Sequence, residues 1–111
     1  MTLKIGETEV PVTWENNASV EELKGLLPLS IQMSMYGGFE QVGSIGSSIS
    51  RDDSQITTEP GDIVLYSGNQ IVIFYGSNSW AYTKLGHVEL GEDEMKKLLS
   101  NGDVTITITE E

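Results

Sequence analysis

No cysteine occurs among the 111 residues, which excludes disulfides, thiolate metal ligands and cysteine nucleophiles. There is one histidine, His87, so the nitrogen and sulfur donors that usually assemble a transition-metal centre are missing as a set, and neither metal nor cofactor is expected. Six basic residues stand against 17 acidic ones, and only one of the six is an arginine, Arg51. The resulting net charge of −11 repels phosphate backbones and anionic bilayers. Nucleic acid and membrane are therefore not expected partners, whereas cationic and neutral ligands stay open. No stretch approaches the roughly 20 apolar residues of a spanning helix. Residues 1 to 30 lack the basic start and apolar centre of a secretory signal, so a cytoplasmic location is expected. Proline is scarce too, and Pro11, Pro28 and Pro60 each fall where a regular element should break.

What the chain does have is concentrated in Gly61 to Thr83, which holds most of its aromatic and β-branched side chains. Two apolar runs, Ile63 to Tyr66 and Ile71 to Tyr75, flank Ser67-Gly68-Asn69-Gln70. The spacing predicts a hairpin turning on Gly68-Asn69, with Gly68 supplying a positive φ. The second run does not alternate apolar with polar, so both of its faces should be covered and it should be a central strand. Gly76-Ser77-Asn78-Ser79 then reads as a loop at the sheet's rim, with Phe74, Tyr75, Trp80 and Tyr82 around it. An apolar floor with a polar rim is how small binding pockets are commonly built.

Elsewhere the pattern is of short strands between glycine-rich turns. Thr2 to Ile5 and Thr8 to Trp14 form a first hairpin, with Pro11 marking an edge or a bulge. Ser19-Val20-Glu21-Glu22 has the form of a capping box and opens a helix that Pro28 stops. Leu29 to Tyr36 alternates as a strand, and Gly37-Gly38 leads to a partner strand from Phe39 to Gly43. Ile45 to Glu59 reads as a long irregular segment with one short strand near Ile56. Lys84 to Leu90 is a further strand, Glu92 to Ser100 a second helix with its acids at the start, and Val104 to Thr109 an alternating final strand. Together these predict one mainly β domain over residues 1 to 111, a small closed antiparallel barrel with two short capping helices.

At Gly61 to Tyr66, and again from Phe74 through Gly76-Ser77-Asn78-Ser79-Trp80 to Gly86, the chain resembles a family of small bacterial and archaeal cyclophilin-like domains. The resemblance implies a barrel of about eight strands. Cyclophilins proper are prolyl isomerases, and their motif sets an arginine on a strand shortly before a Phe-Met-x-Gln-Gly-Gly-Asp run. The similar stretch here, Gln32 to Phe39, has no arginine, and Arg51 lies in an irregular segment beside Asp52 and Asp53. The favoured reading is a non-catalytic module, monomer or weak dimer, whose barrel mouth takes a peptide segment or small apolar ligand. Met33, Met35, Tyr36, Phe39, Tyr75, Asn78, Trp80 and Tyr82 are its expected lining. The alternative is a weak prolyl isomerase using Arg51 or a backbone donor. His87 is expected as an ordinary strand residue, and Asp52-Asp53 as surface charge.

Overall fold

A computed structural model describes residues 1 to 111. Thirteen elements follow in the order β1 (Thr2–Ile5), β2 (Thr8–Val10), β3 (Val12–Trp14), α1 (Ala18–Lys24), β4 (Leu29–Gln32), β5 (Ser34–Tyr36), β6 (Glu40–Ser44), β7 (Ser54–Thr57), β8 (Asp62–Tyr66), β9 (Gln70–Phe74), β10 (Ser79–Val88), α2 (Glu92–Leu99) and β11 (Thr105–Thr109). No helix is long and apolar enough to cross a membrane.

The strands make two sheets, and the expected closed barrel is not formed. A four-stranded sheet runs β2-β1-β11-β4 and a larger one runs β3-β10-β8-β9-β6-β5, with β7 added along the start of β10. The arrangement is sandwich-like. The chain passes directly from the small sheet to the large one at two places, Pro11 and Met33, and returns each time through a helix. Pro11 has no amide to give a ladder, so the arm read as one strand divides there, and β2 stays with β1 while β3 pairs with β10. At the second crossing the amide of Met33 donates to the carbonyl of Val104, just before β11 begins, and β5 then joins β6. No ladder joins β4 to β6. There the layers meet through close contact: a Cβ placed on Gly43 would lie 2.7 Å from the Gln32 carbonyl oxygen and 2.7 Å from the Met33 sulfur. Backbone cannot swing aside as a side chain does, so Gly43→Ala is expected to lower stability by about 1–3 kcal/mol, read as a shifted urea midpoint at unchanged slope.

Between the layers lies the main core. Leu3, Ile5, Ile106 and Ile108 from the small sheet meet Ile63, Leu65, Ile71, Ile73 and Leu85 from the large one, and Val20, Leu23, Met95 and Leu99 add both helices. Helix α1 starts differently from the expected capping box. Asn17, two residues upstream of Ser19, is the cap, its side-chain oxygen accepting from the amide of Val20 at 2.9 Å. Ser19 is instead buried inside the helix, where its hydroxyl donates to the Ser50 carbonyl, and the Glu22 carboxylate accepts from the Ser50 amide at 3.0 Å. The same two residues thus tie the helix to the irregular segment, and the Ser50 hydroxyl and amide hold the Glu22 carboxyl below its ordinary value.

The central hairpin is present, but its turn sits one residue earlier than expected. Ser67 and Gly68, at φ of 54° and 75°, take the left-handed positions, and the amide of Asn69 donates to Tyr66. Strand β9 lies between β8 and β6 and is buried from Ile71 to Phe74, as its unbroken apolar run requires. Strand β10 starts well before the Lys84 at which the expected strand began. Its ten residues begin in the expected loop at Ser79, and an extra residue at Leu85 bulges it between partners.

Candidate functional site

A strand's side chains point alternately to opposite faces, so the register decides which residues can share a site. Glu40 pairs with Phe74, Val42 with Val72, Val64 with Val72 and Tyr36 with Glu40, and these share the face of the large sheet turned away from the small one. Gln41, Ile73 and Ile63 occupy the opposite, core-side positions. On the outer face Val64, Val72, Phe74 and Tyr82 form a second buried cluster, edged by Phe39, Val42, Ile56 and Tyr66. Above it opens a hollow of about 830 Å³.

The walls of the hollow come from four places. Tyr36 and Phe39 belong to the β5–β6 corner, Glu40 and Val42 to β6, Tyr66, Gln70 and Val72 to the central hairpin, and Asn78, Trp80 and Tyr82 to the start of β10. Two sets of backbone bonds hold the rims. The Phe39 carbonyl accepts from the amides of both Tyr75 and Gly76, at 3.0 and 2.9 Å. Asn78 is locked to Thr58, its carbonyl accepting from the Thr58 amide and hydroxyl and its amide donating to the Thr58 oxygen at 2.9 Å. A chain of rings runs through the site: Tyr36 meets Phe39 edge-on at 6.3 Å, Phe39 stacks over Phe74 at 6.5 Å, and Tyr82 meets Phe74 at 5.7 Å and Tyr66 at 6.1 Å. Tyr36 and Trp80 are 64% and 55% exposed, and they are two of the three large apolar side chains the fold leaves in solvent.

Glu40 is the one ionisable acid in this lining and is only 6% exposed. No hydrogen-bond donor or cation meets its carboxyl, and burial pushes its pKa up to about 7. Beside it, the Tyr82 hydroxyl accepts from the Asn78 amide nitrogen at 2.9 Å. Burial raises the pKa of that hydroxyl, opposed by the Asn78 bond and reinforced by the Glu40 charge. The hollow therefore holds a carboxyl that changes charge near neutrality, inside a ring of aromatic surface, with no basic residue in its wall.

Five of the eight residues expected to line a site are gathered here: Tyr36, Phe39, Asn78, Trp80 and Tyr82. The site lies on the outer face of a sheet and not at a barrel mouth. Met33 and Tyr75 belong to the core between the layers, 1% and 4% exposed. Met35 sits opposite Gln41 on the core-side register, its sulfur accepting from the amide of Gly102. Met35 and Tyr36, both in the expected set, are neighbours along one strand and cannot face the same way. Arg51 lines a separate, smaller depression of about 290 Å³ beyond Tyr82, with Asn17, Asp52 and Lys84, and its Nε lies 3.5 Å from an Asp53 oxygen. The expected set also omitted Glu40, because an acid in a short strand after two glycines reads as surface until its pairing with Phe74 is known. His87 is a strand residue whose Nδ1 lies 2.7 Å from Asp62, a buried acid that also approaches Lys84 at 3.5 Å.

A mainly β two-layer domain with an aromatic hollow on its larger sheet is thus the class of protein the coordinates define. The cyclophilin-like family model matches residues 3–109, and the chain belongs to that family. No curated protein matches the sequence.

Proposed function

We propose that this chain is a non-catalytic binding module that receives a small ligand, or the side chain of a peptide segment, in the hollow on the outer face of the large sheet. The observation that carries this reading is the placing of Tyr36 and Trp80. Two large rings left in solvent on the lining of one concave site are costly to leave bare and are typical of a surface that another molecule covers. The floor beneath them is already packed, so the site needs little rearrangement before binding.

Prolyl isomerisation is the less favoured reading for a positional reason. It calls for a cation or strong donor over the proline nitrogen, and no arginine or lysine lines the hollow. Arg51 faces the neighbouring depression and is engaged by Asp53.

The chain has two tryptophans, so Trp14→Phe leaves Trp80 as the only indole, and selectively excited tryptophan emission then reports on the hollow alone. Titration with short apolar, cationic and proline-containing ligands is expected to give a saturable change in Trp80 emission with at least one class. Flat emission across the whole panel up to millimolar concentration would remove the binding reading. A protease-coupled proline assay is expected to show no acceleration over the uncatalysed rate, for wild type and Arg51→Ala alike.

A further inference from the structure

We propose that the ligand of the hollow carries an organic cation, an alkylammonium group that pairs with the Glu40 carboxylate while its carbon substituents rest on the surrounding rings. The inference rests on the binding reading above and adds the chemistry of the occupant. Three independent features of the structure select that charge.

The first is the unpartnered acid. A carboxylate withdrawn from water is expensive unless a cation or several donors replace the water it lost. Elsewhere the protein supplies such partners: Asp62 has His87, Lys84 and the Glu59 amide, and Asp53 has Arg51 and the Thr83 hydroxyl. Glu40, nearly as buried as Asp62, has none. The second is the wall. Tyr36, Phe39, Tyr66, Trp80 and Tyr82 give the hollow electron-rich ring surface, which attracts ammonium groups and gives nothing comparable to an anion. The third is the field. With 17 acidic and six basic residues, the protein draws cations towards its surface and repels anions.

The titratable groups that share the lining of the hollow with Glu40 are Tyr36 on β5, Tyr66 on β8 and Tyr82 on β10, while β9 presents Phe74 and Val72 beside it. None of them offers a positive charge. An empty hollow therefore keeps the acid mostly protonated only below about pH 7, where an arriving ammonium must displace that proton. The ammonium could belong to a free amine or to the lysine side chain of a peptide; the chemistry at Glu40 is the same.

Calorimetric titration separates the outcomes. At pH 8, choline and a short lysine peptide are set against 3,3-dimethyl-1-butanol, the neutral isostere of choline. Saturable binding of at least one cation is expected, with the neutral isostere at least about tenfold weaker. The cation's affinity should fall about tenfold per unit as the pH drops below 7, with uptake of the released proton by the buffer. Glu40→Gln, which keeps the shape, should weaken the cation about tenfold or more and flatten that pH dependence. Trp80 is mostly exposed, so Trp80→Ala should leave the fold intact and cost about fivefold or more in cation affinity. Choline bound more tightly than the lysine peptide assigns the site to free amines, and the reverse order to a lysine side chain. Equal affinity for choline and its neutral isostere, unaltered in Glu40→Gln, would overturn the cation while leaving the hollow as an apolar binding site. Failure of every ligand, charged or neutral, would remove both.

Discussion

Phe74→Ala is expected to cost about 3–5 kcal/mol, a large share of the roughly 5–15 kcal/mol by which a domain of this size is folded. Phe74 is fully buried, yet it faces away from the four-stranded sheet, on the side that a two-layer fold ordinarily leaves to solvent. Its ring lies beneath Phe39 and against Tyr82, so truncation leaves a void that neither neighbour can fill without leaving the rim of the hollow. Chemical denaturation measures the loss. Phe74→Leu, which retains most of the volume, should cost much less. A change below about 1 kcal/mol for Phe74→Ala would mean that the outer face is not a packed core, and the preformed floor under the binding site would go with it.

The second large effect is a stability that falls as pH rises through neutrality. The Glu40 carboxyl has an ordinary value of 4.5 and is raised to about 7 by burial in the folded protein. Between those values the folded state holds a proton that the unfolded chain has released, so the favourable contribution is complete below about pH 4.5 and is lost as pH climbs through about 7. Allowing for the water that reaches the mouth of the hollow, the loss is about 1–2 kcal/mol. The Glu22 carboxyl, held below its ordinary value by Ser50, runs the opposite way in acid, so the informative quantity is wild type minus Glu40→Gln, followed by denaturant midpoints from pH 5 to pH 8. Glu40→Gln should become the more stable of the two by about that amount at pH 8. A constant difference over the whole range would show that Glu40 ionises as an ordinary surface acid.

Much of the architecture was legible because it follows local rules. The unbroken apolar run of β9 implied burial on both faces, and the structure supplies two clusters to cover it. The alternation in β11 put Ile106 and Ile108 in the core with threonines outside, and Gly37-Gly38 marked the corner between β5 and β6. Barrel closure was not legible. Whether β4 and β6 join by a ladder or by contact depends on the approach of Gly43 to Gln32, a relation between residues with no shared local signal. The helix start misled for a related reason: Ser19 and Glu22 have the spacing of a reciprocal cap, but Ser50, 31 residues after Ser19, claims both.

The site was half legible. Aromatics on both sides of a polar loop drew attention to Asn78, Trp80 and Tyr82, and a glycine corner to Tyr36 and Phe39. Adjacent residues were then grouped as though they shared a face. Strand period sends Tyr36 and Met35 to opposite sides, and likewise Phe74 and Tyr75. Glu40 required the cross-strand register itself, because only its pairing with Phe74 shows that this acid stands on an apolar floor.

The most direct test is a map of amide, methyl and aromatic chemical shifts recorded while the best ligand from the fluorescence panel is titrated in. Perturbations should form one patch on Tyr36, Glu40, Val42, Val72 and Trp80, leaving Met33 and Tyr75 unmoved behind the sheet. A patch centred on Asn17, Arg51 and Asp52 would place the ligand in the neighbouring depression and contradict the assignment of the outer-face hollow as the binding site.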